Sequence, residues 1–141
     1  MSRLTLRQAN TIVEVALKKA REMKTRPLSV VVLDDAGNIK ALQREDGANM
    51  FRNDIAIGKA FASIGMGAAS RALLQRAKDN PQFYSALTVV GQGKFVPQTG
   101  AVVIKDKDGD IVGAAGGSGG TGDEDEAVCI AGIEAAGLSW G

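Results

Sequence analysis

Leu28-Ser29-Val30-Val31-Val32-Leu33-Asp34-Asp35-Ala36-Gly37-Asn38-Ile39-Lys40-Ala41-Leu42 is the stretch on which the fold turns. A short β-branched run, a polar turn with a glycine free to take positive φ, and a second apolar run predict a β-hairpin. The same plan returns between Ala101 and Ala115. There Val102-Val103-Ile104 precedes Lys105-Asp106-Lys107-Asp108-Gly109-Asp110, and Ile111-Val112-Gly113-Ala114 follows. Gly37 aligns with Gly109, which brings Asp34 onto Asp106 and Ile39 onto Ile111. The two hairpins are expected to share one antiparallel sheet.

Outward from the hairpins the apolar period becomes helical. Thr5-Leu6-Arg7-Gln8 fits a capping box. Ala9, Ile12, Val13, Ala16, Leu17 and Ala20 then recur every three or four residues, predicting a helix that ends near Lys24, before Pro27. Asn53 or Asp54 is the expected cap of a second helix through Ser63, and Ser70 that of a third through Ala77, stopped at Asn80-Pro81. The turn-rich Gly91-Gln92-Gly93-Lys94-Phe95-Val96-Pro97 is placed at a sheet edge, as a candidate fifth strand. A last helix is expected from Asp123 to Ala136, closed by Gly137. Tight-turn connections between neighbouring strands make the class α+β, not a parallel doubly wound sheet.

At 141 residues and 14.6 kDa the chain is read as one domain, 1–141. No apolar run approaches a membrane span, and a net charge of +1 spread along the chain does not suggest nucleic acid. The absence of histidine excludes Ser-His-Asp and Cys-His catalysis, HExxH zinc sites and the usual proximal haem ligand. Cys129, the one cysteine, can form no intrachain disulfide, and the N-terminus does not read as a signal peptide, so the expected compartment is the cytoplasm. Eighteen glycines against six aromatic residues (Trp 1, Tyr 1, Phe 4) leave a thin core, from which homo-oligomerisation is expected.

Gly117-Ser118-Gly119-Gly120-Thr121-Gly122 matches GxGxxG, yet a dinucleotide fold needs a following strand with an acidic residue about 20 positions on, and 19 residues remain after Gly122. The acidic run Asp123-Glu124-Asp125-Glu126 would also repel a pyrophosphate at the helix start. The loop therefore reads either as a tight strand-to-helix crossing or as a pocket wall. Asp106, Asp108 and Asp110 imitate the start of an EF-hand, but the glycine is misplaced and Gly117 stands where the bidentate Glu belongs, so a solvated turn is expected and no metal site is assigned. Arg44 and Lys59 are candidate carboxylate binders. Spacing alone favours the plainer alternative: Arg44 in a salt bridge to Asp46 or across the strands, and Lys59 reaching to solvent. Cys129 is expected to be a buried, inert thiol.

Together these residues resemble the haem-degrading-domain (DUF336) family, which includes GlcG-like and HbpS-like proteins and the C-terminal domain of PduO-type proteins. The matching pieces are Pro27-x-x-Val30-Val31-Val32-x-Asp34-x-x-Gly37, Arg44-x-Asp46-Gly47-Ala48, Lys59-Ala60, Gly113-Ala114-x-Gly116-Gly117-Ser118-Gly119 and Asp125-Glu126-x-x-x-x-Ala131-Gly132. The resemblance implies a profilin-like fold, an antiparallel sheet of about five strands with helices packed on it and the terminal helices flanking. It further implies homo-oligomers, a small-molecule pocket near the subunit interface, and in some members haem binding or degradation. Carried over by position, Arg44, Lys59, Gly116, Gly117, Ser118, Gly119 and Asp125 become ligand-binding candidates. Without histidine, haem would need another axial ligand or none.

The first functional reading is an oligomeric binding protein for a planar or carboxylate-bearing molecule, with Arg44 and Lys59 pairing its carboxylates. The alternative is a cofactor-free isomerase, tautomerase or lyase acting on a small oxo-acid. Asp46 and Glu126, with Asp125, are then the proton-transfer candidates. A third reading is a structural subunit that stabilises a partner enzyme.

Overall fold

The computed structural model describes residues 3–141. In chain order the elements are α1 (Leu6–Met23), β1 (Ser29–Asp34), β2 (Ile39–Arg44), α2 (Phe51–Met66), α3 (Ser70–Asp79), α4 (Pro81–Val90), β3 (Ala101–Lys105), β4 (Ile111–Ser118), α5 (Gly122–Ala135) and β5 (Ser139–Trp140). The strands form one antiparallel sheet in the order β2-β1-β4-β3-β5. Both expected hairpins are present, turning at Gly37 (φ 82°) and Gly109 (φ 83°), a backbone region that side chains rarely adopt. In each turn the leading aspartate, Asp34 or Asp106, accepts two backbone N–H groups, which explains why the two copies share that residue.

The hairpins join through β1 and β4, with Ser29 opposite Ser118 and Val31 opposite Gly116. The inner strands are buried on both faces, so the β1 run Val30 to Leu33 is continuously apolar without alternation. On one face Val30, Val32, Val102, Ile104 and Ala115 pack against Ile12 and Val13 of α1 and Val128 and Ile133 of α5. On the other, Val31, Leu33 and Ala114 meet Ala56 and Ala60 of α2. Leu73, Tyr84 and Phe95 form a smaller cluster that seats α3 and α4 beside α2.

The capping box at Thr5 and Gln8 is formed as expected, and α1 ends at Lys24 in a left-handed cap. Thr121 and Glu124 make a second box at the start of α5. Two expected caps are otherwise employed. α2 starts earlier, at Phe51, so Asn53 lies inside the helix and its side-chain Oδ1 accepts the Ser29 hydroxyl at 2.7 Å. Ser70 is the first residue of α3, not its cap, and its hydroxyl both accepts from Ala101 N–H (2.9 Å) and donates to Ala101 C=O (3.3 Å), pinning α3 to the start of β3. Past the stop at Asn80, Pro81 opens a further helix, α4, since a proline at the first helical position loses no hydrogen bond. Residues 91–97 are a loop, and the fifth strand is Ser139–Trp140, paired to Ile104 and Lys105. Among the described residues no helix is long and apolar enough to cross a membrane.

Candidate functional site

The centre of the candidate site is a buried charge, which local spacing does not predict. Lys59 lies on α2, 6% exposed, and its ammonium bonds Asp125 Oδ2 at 3.1 Å and Gly117 C=O at 3.0 Å. Asp125, 1% exposed, comes from the first turn of α5, and its other oxygen accepts Gly120 N–H at 3.0 Å. α2 and α5 pack on opposite faces of the sheet, so the pair must pass the sheet's end. It does so beside Gly100 and Gly117, which continue the β3–β4 ladder by one bond. A Cβ at Gly100 would stand 2.7 Å from Lys59 Nζ, and one at Gly117 would stand 3.2 Å from Asp125 C=O. The glycines thus leave the channel through which the lysine reaches its carboxylate, and Lys59 does not snorkel to solvent as spacing suggested.

Burial pushes the Asp125 carboxyl above its ordinary value, while Lys59, the Gly120 amide and Arg52 pull it part of the way back. The pair opens onto a cleft of about 460 Å³ between α2 and the Ser118–Thr121 loop, walled also by Arg52, Ile55, Leu74 and Gln98. Arg52, half-buried, donates to Ser118 Oγ at 3.2 Å. Arg3, Arg21 and Arg71 are paired to carboxylates, whereas Arg52 has no such partner among the described residues. A guanidinium half out of water, oriented by one hydroxyl and with donors to spare, is suited to an anionic oxygen pair.

Of the candidate residues, the structure gathers Lys59, Ser118 and Asp125 at this cleft, with Gly117 supplying its carbonyl to the floor. Gly116 lies under α2, where a Cβ would stand 2.6 Å from Ala56 C=O, so its role is close packing. Gly119 lies against Pro27 in the loop. Arg44 and Asp46 are elsewhere, on a separate cavity of about 450 Å³ between α1 and β2. Arg44 donates to Ala48 C=O at 2.7 Å, and the ion pair there is Arg21 to Glu45, not Arg44 to Asp46. Glu126 joins Asp123 in pairing with Arg71 on the outside of α5. Arg52 was not among the sequence candidates; the signal available was a cation about two helical turns before Lys59, too common a spacing to be singled out.

The sequence pattern of the HbpS-like haem-degrading proteins matches residues 4–134. The chain belongs to that family. Solved structures with the same fold include a PduOC–haem complex (24% identity, 96% of both chains, TM-score 0.85). A double mutant of HbpS from Streptomyces reticuli is 29% identical over 95% of this chain and 87% of that one, with a TM-score of 0.82. Klebsiella pneumoniae ORFY, a DUF336 protein, is 23% identical over 94% and 90%, at 0.84. No curated protein matches the sequence. Haem is the group that the HbpS-like family name implies, and the cleft meets only part of its chemistry. Its cations suit propionates, but no His, Met, Cys or Tyr lines it and the chain has no histidine at all. Lys59 is held by Asp125, and Cys129 is fully buried with its thiol pushed far up, first by desolvation. These residues do not make a ligand set for haem iron.

Proposed function

We propose that this HbpS-like protein binds a small carboxylate-bearing organic molecule in the cleft between α2 and α5, as a homo-oligomer. The observation that carries this reading is Arg52: half-buried, held by Ser118, and within ion-pair distance of no carboxylate among the described residues, beside the neutralised Lys59–Asp125 pair. A cleft of about 460 Å³ is of the size that takes small ligands. The family supports a small-ligand role of the haem-binding type. A planar carboxylate such as haemin would be held here through its acid groups. Self-association fits the exposed Phe51, Val89 and Val90. The test is titration with haemin and with small mono- and dicarboxylates, followed by absorption and calorimetry, in the wild type and Arg52→Gln. Saturable binding weakened at least tenfold in the variant supports the proposal. An Arg52→Gln protein that binds as well as the wild type overturns it.

A second reading has its own support. Asp125 is a buried carboxyl with a raised pKa next to two cations, the environment of a general acid or base acting on an oxo-acid. It stands at the cleft, where Asp46 and Glu126 do not. Proton exchange next to the carbonyl of a 2-oxo acid, followed by NMR in D₂O, would then be lost in Asp125→Asn. Exchange at the same rate in that variant eliminates this chemistry.

A further inference from the structure

Resting on the carboxylate reading of the cleft, we infer that the ligand carries two acidic groups, the second being received by Arg26 on the far side of the Ser118–Thr121 loop. The cleft does not end at Arg52. That residue also walls a hollow of about 180 Å³ lined by Arg26, Asn49 and Gly119. Arg26 in turn walls a hollow of about 220 Å³ with Gly120, Thr121 and Glu124, and Gly120 and Thr121 return to the cleft. The three spaces ring one loop. Gly119 and Gly120 put no side chain between them, and at Gly119 (φ 138°) a Cβ would overlap the Pro27 carbonyl, so the loop must stay bare.

Charge follows the same path. Asp123 and Glu126 are taken by Arg71, and Asp125 by Lys59. Glu124 has an oxygen committed to Thr121 N–H at 2.9 Å and, among the described residues, is the acid left facing the ring. Against it stand two guanidinium groups, Arg26 and Arg52, neither within ion-pair distance of a carboxylate among the described residues. Two unpaired cations at successive hollows, with a bare backbone between, fit a dianion better than a single carboxylate.

Calorimetric titration of the full chain with succinate, glutarate and adipate, each against its half-methyl ester, tests this directly. At least one diacid is expected to bind tenfold or more tightly than its half-ester. Arg26→Gln should bring that diacid down to the half-ester's affinity and leave the half-ester unchanged, whereas Arg52→Gln should weaken both. Lys18→Gln, which removes an exposed charge on α1, should leave the preference intact. Equal affinity of diacid and half-ester at every length overturns the inference while sparing the carboxylate site. So does a preference that survives Arg26→Gln, or one that Lys18→Gln erodes equally. Absence of binding by every acid and ester removes the carboxylate site itself, and this inference with it.

Discussion

Replacing Lys59 with methionine keeps the stem of the side chain and removes its charge, leaving Asp125 Oδ2 without its 3.1 Å partner at 1% exposure. One hydrogen bond to the carboxylate remains, from Gly120 N–H. Breaking a buried pair from one side costs about 3–5 kcal/mol, because the surviving charge is neither solvated nor matched. For a domain of this size that is a fall in Tm of about 10–20 °C. The loss must depend on pH in a definite direction. The folded-state value of Asp125 is raised, so the folded protein holds this proton more tightly than the unfolded chain. Its favourable contribution is therefore complete below the ordinary carboxylate range and disappears as pH rises through the raised value. Without Lys59 the value climbs further, so the gap between wild type and Lys59→Met should be smallest near pH 5 and widen towards pH 8. Lys59→Met/Asp125→Leu, which leaves no charge behind, should recover to within about 2 kcal/mol of wild type. Urea melts of the three proteins across this range provide the measurement. A deficit below about 1 kcal/mol at pH 8, or one independent of pH, would refute the account of the pair as a buried, mutually dependent unit.

Three further outcomes follow from the packing. Gly132→Ala places a Cβ against the Ile12 carbonyl where α5 crosses α1, and should cost about 1–3 kcal/mol in thermal or urea melts, against the usual helical advantage of alanine. Ser70→Ala leaves the buried Ala101 N–H unmatched at the start of β3 and should lower stability by about 1–3 kcal/mol, whereas Ser70→Thr, which keeps the hydroxyl, should lose less. Cys129, buried with its thiol pushed up chiefly by desolvation, should resist a thiol reagent in the native protein and react on unfolding, read as the rate of absorbance change with and without urea.

What the sequence made legible was whatever is settled within a few residues. The two turns are written in Asp34, Gly37, Asp106 and Gly109, and α1 in its capping box and apolar stripe, because each rests on contacts a turn or two away. The glycine loop was legible as a crossing to α5, although not as the inner wall of three hollows. Lys59 was misread because its solvent-like chemistry is overturned only by Asp125, brought near by the sheet and not by the chain. Arg52 was missed for the same reason, its hydroxyl partner Ser118 lying across the β4 end. Arg44 and Asp46 sit beside a real cavity, but local spacing could not say that it is walled by α1 and β2 while Lys59 lines another. α4 was hidden by Pro81, which ends one helix and opens the next.

The seam between β1 and β4 also governs when the protein becomes itself. Each hairpin closes on its own neighbours, but Val31 waits for Gly116 and Ser29 for Ser118, residues made long after it. During synthesis β1 and β2 can shelter only against α1 and α2, with the β1 edge bare of its later partner. Pairing between residues so far apart in sequence costs loop entropy before it is rewarded, and slows folding. The Lys59 ammonium stays in water until α5 emerges, so the charged heart of the cleft is among the last features to form.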